Sequence, residues 1–345
     1  MTQGNTPAYA IRTSAGRPKT MSVGGATFDL FVVADHAVIH KNERVRAFTL
    51  PLGSKIRVEE VIRASGGGAH NTAVGLARLG CAASYCGVIG DDPWGASVLE
   101  NCAKEHVDTA HVTVVENEAT DFSIILTARS GERVILKHPG TSKHLQDATF
   151  ARDAAAEVDW LYLNSIQEEA CQIEDDVIRI LTEIPHARLT WNPGGCQIEM
   201  GVKRANIQAM LRETTLLLLN KEEALTFTGE PDVLSAMKRL LALGAKIVCI
   251  TDGAEGVLAT DGTIVYHCLP ADCTVVDTTG AGDAFGTGAT WALLTGKNLP
   301  TALRAGTINA MSVVGSVGAQ PGLLTAATME KRLAESDITV TETRL

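Results

Sequence analysis

The sequence lacks an excess of basic residues. Its formal net charge is −10 over 345 residues, so it offers no basic face to nucleic acid or to an anionic membrane surface. It has no apolar run long enough to span a bilayer, and Leu216–Leu219 reads only as a short buried strand. Residues 1–20 hold no apolar core of the kind a secretory signal needs. Their Gly, Thr, Ser and Pro content predicts a disordered tail instead. Eight cysteines are present, yet none forms a Cys-x-x-Cys pair, and most sit in apolar surroundings such as Lys246-Ile-Val-Cys249-Ile. They read as buried, reduced thiols of a cytoplasmic protein. Nine histidines are scattered without metal-ligand spacing, which predicts no structural zinc. The length admits a large core without requiring two domains.

What is present is a glycine-spaced string. Val275-Val276 predicts the end of a strand, followed by Asp277-Thr278-Thr279-Gly280-Ala281-Gly282-Asp283 and then an apolar segment with Phe285, Trp291 and Leu293. That segment predicts a helix packed at close range. The amides of Gly280, Ala281, Gly282 and Asp283 would then point out of a helix N-terminus, where unpaired N–H groups and the helix dipole favour an anion. A carboxylate beside an anion hole suits a general base. Asp283 would take a proton from a hydroxyl that attacks a phosphorus held by those amides.

The string Asp277 to Asp283 resembles the C-terminal signature of the PfkB/ribokinase family of carbohydrate and nucleoside kinases. A second stretch, Ser65-Gly66-Gly67-Gly68-Ala-His70-Asn71 through Ala77-Arg78-Leu79-Gly80, is similar to that family's N-terminal glycine signature. The resemblance implies that Gly66 and Gly67 lie at a lid hinge and substrate floor, and that Asn71 hydrogen-bonds the acceptor. Many relatives that bind ribose or phosphosugars carry Lys where this chain has Gly68, and the missing cation argues against a phosphorylated acceptor. Arg133 and Lys137 keep that acceptor open. His70 is expected to be a packed residue.

Taken in order, Met21–Val33 predicts a first strand interrupted by Gly24-Gly25-Ala26. Asp29 is a charge within it, and the resemblance assigns it to the acceptor's hydroxyls; a carboxylate suits a vicinal diol. Arg44–Leu50 and Lys55–Val61 predict short strands. Thr120–Thr127 and Glu132–Lys137 predict a hairpin around Arg129-Ser-Gly131. The resemblance makes 35–65 and 109–137 a small β-sheet lid. Asp91 or Asp92 predicts the cap of a helix starting at Pro93.

From 158 onward strands and helices alternate, which predicts a largely parallel sheet with helices on both faces. Ligands then bind beyond the carboxyl ends of the strands. Asn220 and Glu223, spaced i to i+3, open a helix and form a capping box. In the family such a pair also organises Mg²⁺ and its waters around the phosphates, and Mg²⁺ needs few protein ligands. Thr251, Gly253 and Gly256 resemble the turn that borders the nucleotide, and Asn309 lies in a helix expected to flank adenine. Asp277, the Thr279 carbonyl and the loop Gly318–Gly322 resemble a monovalent-cation site for K⁺.

These features predict one doubly wound α/β kinase domain over 21–340, ribokinase-like, with a β-sheet lid. The implied activity is ATP-dependent phosphorylation of a sugar or nucleoside hydroxyl, with Mg²⁺ and K⁺ as cofactors and a homodimer formed through the lid. A phosphosugar acceptor and a catalytically silent ligand-binding regulator are the alternatives. Intact Asp283 and Glu223 count against the regulator. A dinucleotide oxidoreductase would need Gly-x-Gly-x-x-Gly after the first strand, a pattern that Gly24-Gly25-Ala26-Thr27-Phe28-Asp29 breaks. Aromatic residues make up only 4% of the chain and few fall in the expected lid, so little there would stack on a base.

Overall fold

The computed structural model describes residues 16–33, 38–41, 46–127, 133–145, 150–166 and 172–345. Residues 1–15 of the expected tail, parts of the 35–65 segment, the Arg129–Gly131 turn and Cys171 lie outside these.

The chain begins with β1 (Lys19–Val23) and β2 (Thr27–Val33), then β3 (Val38–Lys41), β4 (Arg46–Thr49), β5 (Glu60–Gly66) and α1 (Gly68–Arg78). There follow β6 (Ala82–Gly90), α2 (Pro93–Lys104), β7 (Asp108–Val115), β8 (Phe122–Thr127), β9 (Arg133–His138) and α3 (Arg152–Ala156). The middle comprises β10 (Trp160–Leu163), α4 (Gln172–Glu183), β11 (Arg188–Trp191), α5 (Gly195–Met200), α6 (Ala205–Glu213), β12 (Leu216–Asn220), α7 (Lys221–Thr228) and α8 (Val233–Ala242). The last part comprises β13 (Ile247–Thr251), β14 (Val257–Thr260), β15 (Ile264–Cys268), α9 (Ala281–Leu294), α10 (Leu299–Val314), α11 (Ala326–Glu335) and β16 (Val340–Arg344).

A ten-stranded sheet runs in the order β16-β15-β14-β13-β12-β11-β10-β1-β6-β7. Pairs from β7 through β13 are parallel, and β14 to β16 add antiparallel strands at one edge. The central parallel strands are buried on both faces because helices cover both. Trp160, Tyr162, Leu216, Leu218, Ile247 and Cys249 pack into the core beneath α1, α9 and α10. Their neighbours Leu161, Leu163, Leu217, Leu219, Val248 and Ile250 pack into the opposite core with α4 to α8. Among the described residues no helix is long and apolar enough to cross a membrane.

The stretch Met21–Val33 is not one strand. The glycines after Val23 release the chain from the large sheet, and β2 enters a four-stranded sheet ordered β5-β2-β8-β9. Asp29 therefore sits on the small sheet. Residues 109–115 belong to β7 on the edge of the large sheet, so among the described residues the small sheet draws only β8 and β9 from the 109–137 segment. β4 pairs with β3 in a separate two-stranded antiparallel sheet, and the strand expected at Lys55–Val61 begins only at Glu60. Phe28 stacks on Trp94 of α2 at 4.4 Å and fastens the small sheet to the large domain.

Candidate active site

The turn before α9 is not a strand end. Val275 and Val276 are exposed, and the amides of Val276 and Asp277 donate to the Val314 carbonyl at 2.7 and 3.2 Å. Two hydroxyl-bearing residues follow, and the local chain folds back on Asp277. Its Oδ1 accepts from the Thr279 amide at 3.0 Å and the Thr279 hydroxyl at 2.8 Å, and its Oδ2 accepts from the Gly318 amide at 2.9 Å. Arg133, from β9, ion-pairs with Oδ1 as well. Burial pushes the Asp277 carboxyl up, but the Gly318 and Thr279 donors and the Arg133 charge outweigh it and hold the group below the usual carboxylate range.

Gly280 caps α9 in the left-handed region, φ 76°, where an L side chain is strained and would also run into Ala319. The Ala281 amide turns back to the Thr278 carbonyl at 3.3 Å. No side chain caps the helix, so the amides of Gly282 and Asp283 open it toward an incoming anion. Asp283 lies half-buried in the first turn. Burial pushes its carboxyl up to about 6, with a hydrogen bond from Asn71 pulling the other way. Asn71 Nδ2 donates to Asp283 Oδ2 at 2.8 Å, and Asn71 Oδ1 accepts from Gln320 Nε2 at 3.1 Å. Both amides are buried. Gln320 is a site residue that sequence reasoning passes over. It lies within the Gly318–Gly322 loop, but nothing local marks its side chain as the partner of Asn71.

On the small sheet, Asp29 is buried and pairs in register with Ala64 on β5 and Ser123 on β8. Burial raises its carboxyl to about 6; the Asp277 charge adds to this, while a hydrogen bond from Ser123 and the Lys137 charge oppose it. Gly66 makes the room: a side chain there would collide with Asp29 Oδ2. Gly67 N-caps α1 and delivers Asn71 one turn later. Ser123 carries no sequence signal beyond its alternation in β8. His70 is fully buried beside Tyr85, and burial lowers its imidazole to about 4, as suits a packed neutral ring.

A cavity of about 430 Å³ adjoins the turn. It brings together Thr251, Gly253 and Gly256 from one side, Ala281, Gly282 and Phe285 from α9, and Ala310, Met311 and Val314 from α10. Asn309 is not among its lining residues. It is fully buried, donates to the Ala284 carbonyl at 2.8 Å and Thr287 Oγ1 at 3.0 Å, and accepts from the Leu324 amide at 3.1 Å. The α10 register turns it inward, where it staples α9 to the C-terminal loop. A larger open groove, about 1200 Å³, lies at the amino ends of the strands around Arg188, Arg212 and Lys246, and it holds none of the site residues.

Asn220 and Glu223 form the reciprocal cap of α7. The Glu223 amide donates to Asn220 Oδ1 at 2.9 Å, and the Asn220 amide donates to Glu223 Oε2 at 2.8 Å. Neither lines the cavity, but Lys221 ion-pairs with Asp252 at 2.7 Å and so joins α7 to the turn that does. Among the described residues no group of three or more His, Cys, Asp and Glu is placed to hold a metal. The lone Glu223 carboxylate, with one oxygen committed to the cap, fits a cation held chiefly by phosphate oxygens and water, as Mg²⁺ is.

The fold and these groups define a ribokinase-like phosphotransferase. A doubly wound sheet carries a basic carboxylate at an uncapped helix N-terminus, beside a largely apolar cavity and across from a small sheet bearing a second carboxylate. Residues 29–326 match the pfkB family carbohydrate kinase profile. The chain belongs to that family, and it is an ATP-dependent kinase with an alcohol acceptor. It is 30% identical to an uncharacterized sugar kinase of Archaeoglobus fulgidus, over 72% of this chain and 98% of that protein. It is also 30% identical to the ribokinase of Haemophilus influenzae, over 89% of this chain and 96% of that one. Among solved structures, Arabidopsis thaliana ribokinase complexed with ribose and ATP superposes with a TM-score of 0.77 at 21% identity, covering 93% of this chain and all of that one. At that identity the likeness concerns the fold alone.

Proposed function

We propose that the protein transfers the γ-phosphoryl group of ATP to a hydroxyl of a small, uncharged sugar. The observation that carries this reading is the Asp283 carboxyl, basic enough to act near neutral pH and aimed by Asn71 at the head of a helix whose amides await an anion. Asp29, backed by Ser123, accepts hydrogen bonds from the acceptor's hydroxyls. Asp283 takes the proton of the reacting hydroxyl. That oxygen bonds the γ-phosphorus as the bridging P–O bond breaks and ADP leaves. The open amides of Gly282 and Asp283, with that of Gly280, receive the transferred group's charge. The cavity bordered by Thr251, Gly253 and Gly256 takes the nucleotide base, and closing the small sheet over the site excludes water.

Asn220 and Glu223 would hold Mg²⁺ through water, and the ion would supply charge neutralisation for the phosphate oxygens. No step is assigned to K⁺, because Asp277 Oδ1 already carries the Arg133 guanidinium and the Thr279 donors. Stacking in the small sheet supports a sugar over a nucleoside: Phe28 is engaged by Trp94, and Phe122 by His138 at 5.1 Å. The buried thiols of Cys81, Cys86, Cys102, Cys249 and Cys268 suit a reducing cytoplasm.

The face of the small sheet bearing Leu30, Val32, Ile124 and Leu126 is half-exposed, with Val61 and Leu136 exposed beside them. This supports a homodimer through that sheet. Light scattering on Ile124→Glu tests it, and the dimer reading requires that the variant be monomeric where the wild type is not.

The function is tested by ATP consumption with Mg²⁺ against a panel of free sugars, nucleosides and phosphosugars, with Asp283→Asn alongside. Turnover with one free sugar, lost in the variant, is the expected result. Turnover untouched by the substitution would overturn the base assignment.

A further inference from the structure

Arg133 begins β9, opposite Thr127 on β8 of the small sheet. Its guanidinium nevertheless reaches the turn that leads into α9. It bonds Asp277 Oδ1, donates to Thr278 Oγ1 at 3.0 Å and to Thr279 Oγ1 at 3.1 Å, and so grips three consecutive residues. Asp277 also accepts from the amide and hydroxyl of Thr279 and from the Gly318 amide. Each carboxylate oxygen has about two lone-pair positions; those of Oδ1 are taken by Arg133 and Thr279, while Oδ2 accepts from the Gly318 amide. A cation seated on Asp277 Oδ1 would have to expel the guanidinium, which brings the same charge to the same oxygen.

We propose that Arg133 takes the place of the monovalent cation that the family resemblance assigns to Asp277, so that the turn 277–283 is held in shape by the small sheet rather than by K⁺. The inference rests on the reading of 280–283 as the anion hole. Its physical consequence is a coupling. A diffusible ion would order the turn whatever the position of the lid. A guanidinium tethered to β9 orders it only when the small sheet lies over the site, so the anion hole is completed as the acceptor is enclosed. The Arg133 side chain is 33% exposed and Asp277 only 7%. Removing the guanidinium therefore opens Asp277 Oδ1 from the solvent side, leaving the Thr279 and Gly318 contacts in place and recreating a cation site.

The test is thermal unfolding of the full chain in KCl, NaCl and choline chloride at matched ionic strength, for wild type, Arg133→Ala and Arg133→Gln, with turnover measured in the same salts. The wild-type midpoint and turnover are expected to be the same in all three. Both variants are expected to lose about tenfold in turnover in choline, the scale of one charge-assisted contact. In KCl they should recover turnover and show a raised midpoint. A wild-type midpoint raised by K⁺ over choline would overturn the proposal, as would variants indifferent to K⁺. The midpoints answer without catalysis. If no acceptor is phosphorylated, the kinase chemistry fails while the cation question is still decided.

Discussion

Asn71 donates its side-chain amide to the Asp283 carboxylate at 2.8 Å, across 212 positions of sequence. The bond ties the first turn of α1 to the first turn of α9, and Gln320 holds the other end of the amide. With Oδ2 engaged by Asn71, Oδ1 is the oxygen left to take a proton. The residue expected to hold the acceptor thus also aims the base.

Asp283→Asn keeps that geometry, since an amide oxygen still accepts from Asn71, but removes the base. Turnover should fall by about 10²–10⁴. Stability should move the other way, with a sign that pH exposes. The Asp283 pKa is raised in the folded state from 3.8 to about 6, so the folded protein binds the proton more tightly than the unfolded chain does. The Asp283 contribution to wild-type stability therefore falls as pH rises from 3.8 to about 6 and is level above. Asp283→Asn escapes that loss. Its melting temperature relative to wild type should climb through this window and level off above it, as thermal scans at several pH values would show.

The pH profile of kcat/KM should reveal two carboxyls. Asp29 and Asp283 are both raised to about 6, and both act ionised. Below pH 6 the logarithm of kcat/KM should rise with a slope approaching about 2. In Asp29→Asn the slope should drop to about 1, with a raised KM for the acceptor.

Asn71→Ala should lower kcat by roughly 10–100-fold, the scale of a misplaced reacting group. It should also move the acidic limb of the profile upward, because the lost hydrogen bond favoured the ionised base. Gln320→Ala should act in the same direction and more weakly. A loss in kcat with an unmoved pH profile would count against positioning through Asp283.

Glu223→Gln separates the two duties of that residue. Glutamine serves at the third position of a capping box as well as glutamate does, so urea unfolding should be unchanged. The Mg²⁺ concentration for half-maximal turnover should rise. A variant destabilised yet normal in Mg²⁺ dependence would leave Glu223 as a cap alone.

Gly280→Ala places a side chain in the left-handed region at φ 76° and against Ala319. The backbone strain alone is about 1–2 kcal/mol. Urea unfolding should show at least that loss, and ATP binding should weaken with it because the turn cannot keep its shape.

Much of the fold was legible because it is written in local pattern. Runs such as Leu216–Leu219 and Ile247–Ile250, apolar at every position and too short for a helix, read as strands buried on both faces. The Gly280–Asp283 string announces an open helix start, and Asn220 with Glu223 announces a cap; those properties depend on residues within a turn of one another. The split of Met21–Val33 between two sheets was not legible, because both halves have strand character and only packing against Asn164 and Trp94 decides which sheet each joins. Asn309 turned inward because the rotation of α10 against α9 is set by close glycine packing, not by its own neighbours. The contacts of Asn71 with Asp283 and of Arg133 with Asp277 join residues far apart in sequence, and no spacing rule encodes them. The sequence by itself determined the sheet order's class and the chemistry available at each strand end. Only the tertiary structure decided which of those groups meet, because that depends on how whole helices and the small sheet settle on a shared core.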